Sequence, residues 1–188
     1  MGQYVDAIQS YTEALAIHRE IYQGAASLDV ANMLCCQGDA YNTRRQYNNA
    51  DESYTEALTI YRELSQGAAS ADVARTLIDR CANYNAMKRY CDAALCNAEA
   101  LAIFKKISKG EDSIDIARTL KARGDYYRAT GREMRGRREY RKALAIYQRL
   151  EPDNPVAEDI QFFFSLLELA DICRQDNRYY KYNYHLHQ

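Results

Sequence analysis

A chain of 188 residues, 47% apolar and 27% charged, can close a core and stay in solution as one domain or as an array of similar mass. Its 25 Lys and Arg against 26 Asp and Glu leave a net charge of -1, which argues against a nucleic-acid binder and leaves room only for a local basic patch. No run of about 18 apolar residues is present to span a membrane, and Asp6, Gln9, Thr12 and Glu13 interrupt any signal-peptide pattern at the start.

Those exclusions point to the cytoplasm, where cysteines stay reduced. Cys35 and Cys36 are adjacent, Cys91 and Cys96 are close, and Cys81 and Cys173 stand alone. None forms a C-x-x-C pair with matching Cys or His, so neither a metal nor another cofactor is expected. His185-Leu186-His187 reads as a frayed tail.

In chain order, the first feature is a helical segment ending in Tyr-Thr-Glu-Ala-Leu-Ala-Ile-His at residues 11–18, and nearly the same run returns at 54–61, 43 positions later. Glu99-Ala100-Leu101-Ala102-Ile103-Phe104 and Lys142-Ala143-Leu144-Ala145-Ile146-Tyr147 continue the interval. Gly24, Gly67 and Gly110 recur at the same spacing after amphipathic stretches, where a left-handed C-terminal cap would use them. Ser27, Ser70 and Ser113 then suit helix N-caps, and Asp29, Asp72 and Asp115 suit the positive end of each first turn. Between the stops lie two helices per unit, here expected at 29–46 and 47–64, with apolar residues three and four apart. Prolines occur only at 152 and 155, and no alternating stretch suggests a strand.

A helix pair repeated at such a period buries its apolar faces by stacking on its neighbours. The expected fold is therefore all-α, an α-α superhelix of antiparallel pairs. Its expected units are residues 1–24 (a lone second helix), 28–67, 71–110, 114–150 and a partial unit 155–188, forming a single array over 1–188.

The spacing of Leu34, Gly38, Tyr41, Ala50, Tyr54 and Ala57 resembles the tetratricopeptide repeat, with its first helix A and second helix B. Leu77, Cys81, Tyr84, Ala93, Asn97 and Ala100 follow the pattern with two departures, which predict looser packing in that unit. Leu120, Gly124, Tyr127, Gly136, Tyr140 and Ala143 follow it again, and Tyr4, Ala7, Tyr11 and Ala14 supply the opening helix B. Long units with Asp-Val-Ala or Asp-Ile-Ala starts look most like the kinesin-light-chain-type branch. The unit length suggests a helix B longer by about one turn.

The resemblance implies a concave face lined by A helices. By register that face would carry Asn32, Cys35, Asp39 and Asn42, then Arg75, Ile78, Ala82 and Asn85, then Arg118, Lys121, Asp125 and Arg128, with Asp171 and Arg174 beyond. The bland alternative is a set of solvated helix faces. Arg75 and Arg118, 43 apart, would be stacked neighbours suited to carboxylates, while Asp39 and Asp125 would temper the field. Lys121-x3-Asp125 is the nearest approach to the carboxylate clamp of chaperone-binding relatives, but its Asp would repel a carboxylate. Cys35, Ile78 and Lys121 stand where kinesin-light-chain-type grooves carry Asn, so peptide capture of that kind is not expected.

Gly131–Gly136 lacks the Lys-Ser/Thr of a phosphate loop. Arg132, Arg135, Arg137, Arg138, Arg141 and Lys142 form a basic cluster that reads first as a solvated convex face and second as a contact for an acidic partner or RNA. His18 occupies the slot of Tyr61, Phe104 and Tyr147, and no catalytic constellation appears. The expectation is a non-enzymatic protein-interaction adaptor for a protein or peptide of mixed or modestly acidic character, with neither nucleic acid nor membrane as partner. The alternative is an architectural or sensor arm of a larger protein, or self-association through uncovered array ends.

Overall fold

The computed structural model describes residues 2–21, 26–165 and 167, and every regular element among them is helical. In order these are α1 (Gly2–Ile21), α2 (Leu28–Thr43), α3 (Tyr47–Leu64), α4 (Ala71–Ala86), α5 (Tyr90–Ile107), α6 (Ile114–Ala129) and α7 (Glu133–Leu150), with residues 155–165 also helical. The chain divides into two compact bodies, residues 1–143 and 144–188, and α7 runs through the division.

Within 1–143 the units have matched dimensions. Helices α2, α4 and α6 are each 16 residues long, and α3 and α5 are each 18. The A helices stop earlier than the sequence pattern suggests, because Arg45, Lys88 and Gly131 turn to positive φ (60°, 60° and 72°) at equivalent positions. The amides just after them, on Gln46, Arg89 and Arg132, bond back to the carbonyls of Tyr41, Tyr84 and Tyr127 at 2.8–2.9 Å, a Schellman-type closure. Leaving each B helix, Gln66 and Lys109 already take positive φ before Gly67 and Gly110 do. The glycines therefore stand second in each left-handed step, one place later than a simple C-cap. Gly24 lies outside the described residues.

Ser70 and Ser113 cap α4 and α6, each hydroxyl accepting the amide three residues on (Val73 and Ile116) at 3.5 and 3.2 Å. Ser27 has the extended backbone of a cap but makes no such bond; its hydroxyl lies 3.5 Å from His18 Nε2.

Small residues set the spacing. Ala31, Ala50, Ala57, Ala74, Ala93 and Ala100 are wholly buried, and leucines and aromatic rings fill between them. Helix α2 packs along α3 and α4 along α5, while α1, α3 and α5 pack on the A helix that follows each. Polar ties cross from hairpin to hairpin: Asp51 of α3 meets Arg80 of α4 at 2.6 Å, and buried Asn83 donates to the Tyr47 carbonyl at 3.0 Å. The packing is asymmetric. α2 approaches α4 and α4 approaches α6, whereas α1, α3 and α5 make no comparable approach to one another among the described residues. Among the described residues the A helices therefore stand closer together than the B helices do.

The expected loosening of unit 71–110 is not observed: Cys81 and Asn97 are 0% and 2% exposed. A cysteine is larger than the glycine it replaces and an asparagine smaller than the tyrosine, so the two changes offset each other.

In the body 144–188, residues 155–165 form a helix whose start is set by Asn154. Its side-chain oxygen accepts the Val156 amide at 2.9 Å, and Pro155 takes the first helical position, where no amide is needed. Ala157 and Ile160 are the buried face of that turn.

Candidate functional site on the A helices

The candidate residues on α2, α4 and α6 all belong to the body 1–143; Asp171 and Arg174 lie outside the described residues. On α2, Asn32 is exposed and its amide oxygen accepts the Tyr61 hydroxyl at 2.6 Å. Cys35 is half-buried at the junction with α4, its sulfur 3.2 Å from Thr76 Oγ1 and 3.8 Å from the Tyr61 hydroxyl. Burial outweighs both contacts and pushes the thiol up to about 11, so it is neither a nucleophile nor a ready metal ligand near neutrality. Asp39 accepts the Tyr54 hydroxyl at 2.7 Å; burial raises its carboxyl, and the tyrosine bond pulls the other way. Asn42 lies half-buried one turn later.

Helix α4 supplies Arg75, exposed, with Ile78 and Asn85 half-buried and Ala82 exposed. The Asn85 amide nitrogen is 3.9 Å from Cys81 Sγ. On α6, Arg118 is exposed, Lys121 reaches Asp125 at 2.9 Å, and Arg128 stands 4.0 Å from the same carboxylate. Asp125 also accepts the Tyr140 hydroxyl at 2.6 Å.

Arg75 and Arg118 do come together, through an intermediary. Asp115, in the first turn of α6, takes Arg75 at 3.4 Å and Arg118 at 3.8 Å, and Asp72 takes Arg75 at 3.6 Å. The helix-start aspartates thus neutralise the guanidinium pair. These contacts are exposed and individually weak, so a ligand carboxylate could exchange into them.

Sequence reasoning passed over Asp79. It stands half-buried on α4 between Asp39 on α2 and Arg118 on α6. Burial first, and then the charge of Asp39, lift its carboxyl from 3.8 to about 7 against the pull of Arg118. The available signal was an aspartate at a register held by Cys36 and Ala122 in the adjoining units.

The B-helix side differs. Arg19 pairs with Glu56, and Arg62 with Glu99 at 2.8 Å, over clefts of about 380 and 400 Å³ in successive units. Among the described residues no group of three metal-ligating side chains converges, and no helix is long and apolar enough to cross a membrane. The described cysteines are free thiols, and Cys173 lies outside the described residues.

Neither a protein-family model nor a curated protein matches the sequence. The fold does have a match: the crystal structure of BtubC (BKLC) from P. vanneervenii, a kinesin light chain-like tetratricopeptide protein, superposes with a TM-score of 0.71 at 24% identity. The match covers 82% of this chain and 60% of BtubC, so the chain spans about three fifths of that protein's length. With the 43-residue period, the paired helices and this likeness together, the chain has the fold of a long-unit, tetratricopeptide-type helical repeat.

Proposed function

We propose that the protein is an interaction module of the cytoplasm, not an enzyme, and that it binds a peptide or partner protein along the inner face of α2, α4 and α6. The observation carrying this reading is the convergence of Arg75 and Arg118, from successive A helices, on the one carboxylate of Asp115. Side chains from separate units are thereby within reach of one extended ligand. Asn32, Cys35, Asp39, Asn42, Ile78, Asn85, Lys121, Asp125 and Arg128 flank that centre. Their mixture of charges favours a ligand of mixed or modestly acidic character, whose carboxylates replace Asp115 while its cations meet Asp39 and Asp79. Free thiols in the described residues agree with a reducing compartment. Treating 1–188 as one array is part of the proposal and rests on the sequence register.

A peptide-array screen with wild type and an Arg75→Glu/Arg118→Glu variant tests it. Loss of about tenfold in affinity for selected peptides, worth about 1.4 kcal/mol, is expected; equal binding by both proteins removes the groove from consideration. A second reading, an architectural or self-associating role, draws on the exposed Tyr4, Val5, Ile17 and Ile21 of α1. That role would survive the double substitution intact.

A further inference from the structure

The outer side of the stack carries a ladder of ion pairs with a reversed rung. Arg19 of α1 reaches Glu56 of α3, and Arg62 of α3 reaches Glu99 of α5; in both steps the partners are 37 residues apart. Advancing each residue by the 43-residue period puts Lys105 of α5 and Lys142 of α7 at the next step, both within the body 1–143. The acceptor has become a second cation. The surrounding stripe reverses with it. On α3 it holds Glu52 and Glu56, on α5 Asp92 and Glu99, and on α7 the same register holds Arg135, Arg138 and Lys142, all exposed.

Nearby carboxylates do not cancel this. Glu139 is committed to Arg123, whose Nε lies 3.0 Å away, and it also takes Lys142 at 3.2 Å. Burial would raise its carboxyl, yet Arg123 and Lys142 together hold it below the usual range. Glu133 stands 3.7 Å from Arg137. Lys105 and Arg138 have no carboxylate partner among the described residues, and Arg135 lies over the Tyr127 ring at 6.0 Å.

We propose that the α5–α7 step of the outer face docks an acidic segment of a protein partner. One carboxylate of that segment sits between Lys105 and Lys142, where the repeat elsewhere keeps its own glutamate, and others meet Arg138 and Arg135 farther along α7. The rise between Arg135, Arg138 and Lys142 is about 4.5 and 6 Å, the pitch of carboxylates three and four apart on a helix. A protein is favoured over a nucleic acid because the missing group is a carboxylate, because Leu95 and Met134 lie 70% and 75% exposed beside the stripe, and because the whole chain carries a net charge of -1. The proposal stands apart from the inner groove.

The test is fluorescence anisotropy with a labelled oligoglutamate peptide and, in parallel, single-stranded DNA of matched charge, at low salt where exposed charges are least screened. Wild type is expected to bind the peptide more tightly than the DNA. Lys105→Glu sets a carboxylate opposite Lys142 and so restores an ion pair in the opposite sense. It should lower peptide affinity about tenfold or more while keeping or raising the thermal midpoint, a combination that general disruption does not give. Lys142→Glu should lower affinity likewise, but it also takes a cation from Glu139, so its midpoint is expected to fall. Should either variant unfold by circular dichroism, the exposed Arg138→Glu replaces it with the same expectation. Arg75→Glu/Arg118→Glu should remove only the share of oligoglutamate binding that belongs to the groove, and Lys105→Glu added to that background should still lower what remains, so the groove and the outer face fail separately. Variants that bind like wild type, a wild type that ignores the peptide, or DNA bound as tightly as peptide would each overturn the proposal.

Discussion

Helices α2 and α3 pack around a trio that the next hairpin, α4 and α5, replaces entirely. In the first, the Tyr54 ring lies so close over Gly38 that a Cβ there would sit 2.6 Å from it, and the ring's hydroxyl donates to Asp39 at 2.7 Å. Gly124, Tyr140 and Asp125 repeat the arrangement with distances of 2.6 and 2.6 Å. Between these two hairpins the same positions are Cys81, Asn97 and Ala82. The sulfur takes the space a ring would need, the shorter amide donates to the Thr119 carbonyl at 2.9 Å, and no phenol remains to require an acceptor. The difference teaches that the three positions form one packing unit: ring, bare backbone and carboxylate are kept or exchanged as a set. The amide exchange has a cost, since Asn97 Oδ1 is buried without a hydrogen-bond partner.

Breaking the set in the middle hairpin should have the largest effect. Asn97→Tyr drives a ring into the buried Cys81 side chain, and overpacking of that kind costs about 3 kcal/mol. Adding Cys81→Gly and Ala82→Asp recreates the trio of its neighbours and should recover much of the loss. Chemical denaturation of the single and combined variants measures the coupling, and simple additivity would show that the positions are independent. Breaking the set in the outer hairpins comes next. Gly38→Ala or Gly124→Ala puts a methyl into a ring that is buried and tethered by its hydroxyl, against a helix-propensity gain of about 1 kcal/mol for alanine. A net loss of about 1–2 kcal/mol in urea denaturation is expected; a gain would mean the tyrosine can move aside.

The smallest effect concerns Asp79, whose register is Cys36 and Ala122 in the flanking units. Its carboxyl is raised from 3.8 to about 7 by burial and by Asp39, against Arg118, so the folded chain holds this proton more tightly than the unfolded chain. The resulting stabilisation is full below about pH 4 and is lost as pH rises through about 7. Asp79→Asn should flatten that part of the stability–pH curve and leave the variant ahead of wild type near pH 8. Urea midpoints at several pH values check this, and parallel curves for the two proteins would exclude Asp79 as the source.

Much of this was legible from residue types and intervals, because stacked units must repeat their contacts. The small residues, the aromatic slots, the serine caps of α4 and α6 and the 43-residue spacing of Arg75 and Arg118 all follow from that. What escaped were effects between elements. Asp72 and Asp115 look like helix-start residues, yet a carboxylate at the start of one helix also reaches arginines on its own helix and on the one before. Asp39 and Asp125 look free to meet a ligand, yet each follows a glycine over which a tyrosine lies, so the ring's hydroxyl finds the carboxylate first. The A helices also run shorter than their apolar pattern, since the pattern cannot register that Arg45 and Lys88 would accept positive φ without being glycine.

The equal helix lengths of successive units carry a consequence for how such a chain tolerates change. Each added residue in an α-helix rotates everything after it by about 100°, so one insertion inside α3 or α4 would throw later faces out of phase. The same insertion in the connector at 65–70, between α3 and α4, adds only slack. Natural variation in length should therefore collect in the connectors, leaving the helices as the chain's fixed clock.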